Sequence, residues 1–208
     1  MEFTLNGQKV RAEEGTTILE AAGKAHVYIP SLCFHPDVPA TDAAPDAFVY
    51  QGRKKVYNDN ALGLDRACNL CLVQIQGQDS PVRACQTIVE SGMTVFTKTD
   101  EIKKKRKDRL KEILEHHPNI CLTCDRDPRC PPFGVCVRSA NVPDRCTACP
   151  GYGDCELIRI ADHIGMIGIT IARDSIEFSA IDDNAFFEFD PNLCVGCTRC
   201  VRFCKEVR

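Results

Sequence analysis

Short apolar runs punctuated by turn residues mark the first part of the chain. Residues 3–5 and 9–12 read as two strands around Asn6-Gly7, the strongest short hairpin signal. Thr16 or Thr17 can cap a helix through Ile18, Leu19, Ala21 and Ala22, with Gly23 close to its end. Residues 72–75 form a further predicted strand, followed by the turn Gly77-Gln78-Asp79 and another strand over 94–97. Over 100–116, Ile102, Leu110, Ile113 and Leu114 recur at helical spacing. A short helix is predicted over 156–161, ending near Gly165, then a hairpin from 169–172 and 175–179, then an apolar run over 186–189. Strands mixed with short helices in this order imply an α+β protein.

Cysteine changes the picture. The chain has 208 residues and fifteen cysteines, more than a packed core uses as filling. A disulfide scaffold fits poorly, because such proteins are short and secreted and pair an even number of cysteines. The start lacks a basic region followed by an apolar run. No apolar segment reaches the roughly 18 residues of a membrane span. A soluble protein of a reducing, anaerobic cytoplasm is expected. The formal charge of −3 makes no case for nucleic acid. The basic run Lys103-Lys104-Lys105-Arg106-Lys107 reads as a solvated helix face.

The cysteines fall into four groups. Cys33, Cys68, Cys71 and Cys85 follow C-x34-C-x2-C-x13-C. His117, Cys121, Cys124 and Cys130 follow H-x3-C-x2-C-x5-C, with His116 as a rival for the histidine. Cys146, Cys149 and Cys155 repeat C-x2-C-x5-C; Cys136 is the economical fourth ligand and His163 its competitor. Cys194, Cys197, Cys200 and Cys204 close the chain as C-x2-C-x2-C-x3-C. Soft thiolates at this spacing select zinc, copper(I) or iron–sulfur clusters. Fifteen cysteines and one histidine make four sets of four only if Cys204 joins the last set. Structural zinc, closed by four such ligands, is the plainer alternative. The terminal run has the bacterial ferredoxin spacing, in which the fourth cysteine ligates a neighbouring cluster.

Ile29-Pro30-Ser31-Leu32-Cys33, Cys68-x-x-Cys71, Ala84-Cys85 and Gly92-Met93-x-Val95-x-Thr97 resemble the plant-type [2Fe–2S] domain at the start of the 75-kDa subunit of complex I and of iron-only hydrogenases. The His117 set resembles the one-histidine [4Fe–4S] motif of the same proteins. The stretch from Asp190 to Arg202 resembles the ferredoxin-like region of the complex I subunit, which also lacks the proline that Lys205 replaces here. The resemblance, shared with the iron–sulfur part of some formate dehydrogenases, covers nearly the whole chain. It implies a β-grasp [2Fe–2S] domain over 1–97, a [4Fe–4S] segment over 98–165 with an extra four-cysteine set, and the start of a bacterial-ferredoxin-like module over 166–208. In the family, a long segment carrying the missing ligands follows the terminal run, so Cys204 either fills a vacancy or serves another cluster.

The gap from Cys33 to Cys68 departs from the short plant-type spacing. It is filled by an inserted hairpin at about 41–64, with residues 48–50 and 54–57 flanking Gln51-Gly52-Arg53. Lengthening a surface loop costs little closure entropy, so the ligand set can survive the insertion. A neutral imidazole in place of a thiolate leaves its cluster less negative and raises its potential. No catalytic residue or glycine-rich nucleotide fingerprint is present. The expected role is a single-electron relay between a partner flavin- or NAD(H)-binding subunit, or a ferredoxin, and a catalytic oxidoreductase subunit. The alternatives are the N-terminal segment of a larger hydrogenase or formate dehydrogenase, and a metal-stabilised interaction module.

Overall fold

The computed structural model describes residues 1–39, 48–51, 54–57, 68–115, 117–124, 146, 149, 151, 153–172 and 193–207. The chain forms two compact units. One comprises Met1–Pro45, Leu64–Arg109 and Cys197–Arg208, and the other Asp46–Gly63 and Leu110–Gly196.

In the first unit, β1 (Glu2–Leu5) and β2 (Gln8–Arg11) pair antiparallel with Leu5 opposite Gln8. Asn6 and Gly7 both take left-handed φ values, 50° and 87°. That is the backbone a two-residue hairpin turn needs to match strand twist. The Asn6 side chain does more than turn the chain. Its Oδ1 accepts from Thr97 N and its Nδ2 donates to Thr97 Oγ1, both at 2.8 Å.

Helix α1 (Ile18–Lys24) starts at a capping box. Thr17 Oγ1 accepts from Glu20 N, and Glu20 Oε2 accepts from Thr17 N at 2.9 Å, satisfying two otherwise orphaned donors. Gly23 lies inside the helix. The left-handed residue that ends it is His26, with φ of 57°; Val27 N donates to Ala22 O and His26 N to Gly23 O, closing a Schellman motif.

β3 (Phe48–Gln51) and β4 (Lys54–Tyr57) pair antiparallel with Gln51 opposite Lys54, so the long gap does carry a hairpin; it belongs to the second unit. β5 (Leu72–Ile75), β6 (Val82–Arg83) and β7 (Thr94–Phe96) complete the main sheet, whose order is β2-β1-β7-β5-β6. β7 runs parallel to β1 and antiparallel to β5. Phe3, Leu5, Val73, Ile75 and Val95 from the sheet pack with Ile18, Ala21 and Ala22 of α1. Cys71 and Cys85 are members of this same apolar cluster. Each such side chain taken from water contributes roughly 1.5–3 kcal/mol, so the core that orders the sheet also fixes these two thiols.

Helix α2 spans Asp100–Glu115. Ile102, Leu110 and Leu114 are buried, as the apolar stripe predicts, but Arg106, on the same row at four-residue spacing, is buried with them. The solvated-face reading of the basic run therefore holds for Lys103, Lys104, Lys105 and Lys107 and fails for Arg106.

Helix α3 (Glu156–Ile164) buries Leu157, Ile160 and Ala161 and ends at Gly165, whose φ of 78° is left-handed. Residues 169–172 form no strand, contrary to the predicted hairpin. Hydrogen bonds from Gly168 N to Thr123 O and from Ile169 N to Met166 O tie the chain just before it into a loop instead. The partner stretch 175–179 and the run 186–189 lie outside the described residues. Helix α4 (Arg199–Val207) closes the chain.

Candidate metal centres

The first cysteine set is assembled by the sheet. Cys71 immediately precedes β5 and Cys85 lies two residues past β6, so the β5–β6 pairing, with Leu72 opposite Arg83, brings the two thiols level. Ala84 N donates to Cys71 O at 3.1 Å. Asn69 bends the C-x2-C loop with a φ of 52°, held by Arg83 Nε donating to its Oδ1 at 2.7 Å. Cys33 follows buried Leu32, whose N–H donates to Cys68 Sγ at 3.3 Å.

All four thiols are buried, none more than 9% exposed. Their tightest sulfur contacts are two pairs, Cys33 with Cys68 and Cys71 with Cys85, each at 3.4 Å; Cys33 and Cys85 also interact across the pairs, and none is in a disulfide. Hydrogen bonding within the set drives the four apart in acidity. The Cys68 thiol holds Cys33 well below the ordinary thiol range, with the Arg202 charge adding to the effect. Cys68 is pushed up by its bond with Cys33, and burial adds to the rise. Cys85 likewise lowers Cys71 and is itself raised by its bonds to Cys33 and Cys71. Among the described residues no three donors gather about a single ion position.

Arginines grip the backbone around these sulfurs. Arg106 Nη2 donates to Leu72 O at 2.8 Å, and Arg109 Nε to Cys68 O at 3.3 Å. From α4, Arg199 Nη2 donates to Phe34 O at 2.6 Å, and Arg202 donates to the carbonyls of Cys33 and Pro39. The sequence assigns these side chains no contact: Arg106 stands in an apolar row, and Arg199 and Arg202 belong to the stretch that carries the resemblance.

The second unit carries most of the next two sets. His117 follows α2 directly, and its Nδ1 bonds Pro118 O at 2.8 Å. With the proton on Nδ1, that bond selects the tautomer whose Nε2 can ligate a metal. Cys121 and Cys124 lie on one turn, with Cys124 N donating to Cys121 O at 3.1 Å, and Cys146 and Cys149 repeat it at 2.9 Å. Cys146 N donates to Cys121 Sγ at 3.3 Å, so the two C-x2-C turns meet. Cys155 stands at the N-terminal end of α3. Cys130, Cys136 and His116 lie outside the described residues, and His163 sits in the last turn of α3.

In the terminal set, Cys194, Cys200 and Cys204 are exposed and Cys197 is half-buried. Cys200 and Cys204 lie on α4, and Gly196 and Thr198 beside Cys197 both take left-handed φ.

Residues 1–100 match the family model described as a 2Fe-2S iron-sulfur cluster binding domain. The chain as a whole is similar to the mitochondrial NADH-ubiquinone oxidoreductase 78 kDa subunit of Candida albicans, 27% identical over 211 residues, covering 100% of this chain and 22% of that protein. It is also 27% identical over 208 residues to a Staphylococcus haemolyticus protein named "Putative formate dehydrogenase", covering 98% of this chain and 16% of the relative. The chain thus spans about a fifth of the length of these curated relatives. Among solved structures, an NAD+-reducing [NiFe]-hydrogenase in the H2-reduced state shares the fold, with a TM-score of 0.62 and 22% identity over 97% of this chain and 64% of that one.

Proposed function

We propose that the chain is an iron–sulfur electron-transfer component of a larger oxidoreductase, relaying single electrons between a flavin-, NAD(H)- or ferredoxin-linked site and a partner catalytic subunit. The observation that carries the reading is the double pairing of buried sulfurs. Two thiolates on one tetrahedral metal with bonds of about 2.3 Å stand about 3.8 Å apart. Each pair, at 3.4 Å, is close to that spacing. Two pairs suit two irons with two ligands each; a single zinc would need all four about one point. The residues present therefore fit a [2Fe–2S] cluster on Cys33, Cys68, Cys71 and Cys85. The five-stranded sheet, with its parallel β1–β7 pair, supports the plant-type β-grasp reading of residues 1–97.

A cluster of this kind takes up and gives back one electron. The chain's own residues hold the thiolates, exclude water from them and donate hydrogen bonds toward sulfur, as Leu32 N does. Two or three [4Fe–4S] clusters are assigned to the remaining sets: His117, Cys121, Cys124 and Cys130; Cys136, Cys146, Cys149 and Cys155; and Cys194, Cys197, Cys200 and Cys204, the last of these serving either this cluster or another. The His117 tautomer supports the second set. The contact between Cys146 N and Cys121 Sγ supports neighbouring centres in the 98–165 segment. No helix among the described residues is long and apolar enough to cross a membrane.

The test is iron and acid-labile sulfide analysis of anaerobically purified chain, with low-temperature EPR after dithionite reduction. One two-iron cluster with two or three four-iron clusters predicts about 10 to 14 irons per chain; a colourless zinc protein removes the reading. Under the second reading, an N-terminal segment of a larger hydrogenase or formate dehydrogenase, the same clusters form and the coding sequence continues into a catalytic domain. The shares of 16% and 22% of the relatives' lengths favour that possibility.

A further inference from the structure

Two of the arginines around the first sulfur set are placed where a cation is costly. Arg106 and Arg202 are 4% and 2% exposed. Removing a guanidinium from water carries a large penalty unless an opposite charge and hydrogen bonds repay it. Carbonyls supply hydrogen bonds to both. Among the described residues, neither meets an Asp or Glu carboxylate, and Arg106 Nε, fully buried, has no hydrogen-bond partner. Burial lowers Arg106 to about 10, and the charge on Cys71 is the leading influence working against that fall; the residue stays cationic at neutral pH. Arg106 bonds the carbonyl of Leu72, the residue after Cys71, and Arg202 bonds the carbonyl of Cys33 itself. Each arginine is thus anchored beside a different sulfur pair, Arg106 the one with Cys71 and Arg202 the one with Cys33.

We propose that Arg106 and Arg202 are the two built-in counter-charges of the first metal centre, one beside each sulfur pair, and that together they hold its reduction potential up. The inference rests on the [2Fe–2S] reading of Cys33, Cys68, Cys71 and Cys85. A four-thiolate two-iron centre is anionic, and reduction adds one electron and no proton, so its negative charge grows. A fixed cation in a low-dielectric surrounding favours the more negative state. Arg202 adds a second link, because the guanidinium that donates to Cys33 O also donates to Cys197 O at 3.4 Å. One cation is therefore held between a ligand loop of the first set and one of the last. Both arginines act through charge and position, without bonding to iron.

The experiment is an EPR-monitored redox titration of the reduced two-iron signal in the full chain, wild type against Arg106→Gln and Arg202→Gln. Each substitution is expected to make reduction about tenfold less favourable, a midpoint shift of about 59 mV to the negative for one electron. Arg106→Lys and Arg202→Lys, which keep the charge and lose the fork, should titrate near wild type even where they melt lower. Loaded Gln variants with an unmoved midpoint overturn the proposal, since a purely structural arginine would change cluster occupancy or melting alone. Where a Gln variant fails to load, the Lys variant decides: a wild-type midpoint supports the assignment, and a full tenfold shift despite retained charge overturns it. A wild-type chain with no reduced two-iron signal would instead overturn the metal-centre reading on which the proposal stands.

Discussion

The first and last cysteine sets are held in opposite ways. Cys71 and Cys85 belong to the apolar core of the sheet, Cys33 and Cys68 are buried beside them, and arginines hold their loops. In the last set three of four thiols are exposed, two of them on α4. In the first region packing sets the ligand positions inside a core, while in the last the thiols stand at the surface, two of them on a helix that Arg199 and Arg202 anchor. A core-built centre should be robust and tightly tuned; a surface-built one should be labile and open to other redox groups.

The largest effect expected from this contrast is on iron content. Cys71→Ser should abolish the two-iron EPR signal and remove about two irons per chain. Cys200→Ser should leave that signal untouched and diminish a [4Fe–4S] signal instead. Equal loss of the two-iron signal in both variants would break the comparison. Next comes lability. Anaerobic chelation under mild oxidation, followed by absorbance and EPR, should strip the exposed set first and the buried set last; the reverse order would show that burial of Cys33, Cys68, Cys71 and Cys85 does not protect them.

Smaller effects test the scaffold of the buried set. Asn6→Ala removes both bonds to Thr97, which is 1% exposed, and leaves its buried N–H unpaired. The expected cost is about 2 kcal/mol, read as a lower denaturant midpoint. Thr17→Ala breaks the α1 capping box and should cost about 1 kcal/mol in the same measurement. Neither should change the two-iron signal in the folded protein.

The two regions also differ in what their residues reveal unaided. The Asn6-Gly7 hairpin, the Thr17 cap, the α2 stripe and the hairpin in the long gap are all local patterns, and sequence periodicity reports local patterns well. The spacing of Cys33, Cys68, Cys71 and Cys85 was equally legible, because soft-metal chemistry constrains ligand type more than any nearby contact does. β6 is two residues long, too short to show a period. His26 ends α1 because a left-handed residue is needed there, and a histidine gives weaker notice of that than the Gly23 beside it. Arg106 and Arg202 were hidden for a deeper reason. Charge predicts exposure, and only three-dimensional packing shows that these two guanidiniums reach the backbone of cysteine loops, 34 and 169 residues away in sequence. Residues 169–172 form no strand; just before and at their start, Gly168 and Ile169 bond Thr123 and Met166.

The most direct test of the central claim is the spin count of the dithionite-reduced full chain after chelation has stripped the exposed sites. Two sulfur pairs holding two irons predict a surviving two-iron signal of about one spin per chain, with iron and acid-labile sulfide remaining in equal amounts. Zinc in place of iron, or a Cys33–Cys68 disulfide in anaerobically prepared protein, would contradict it.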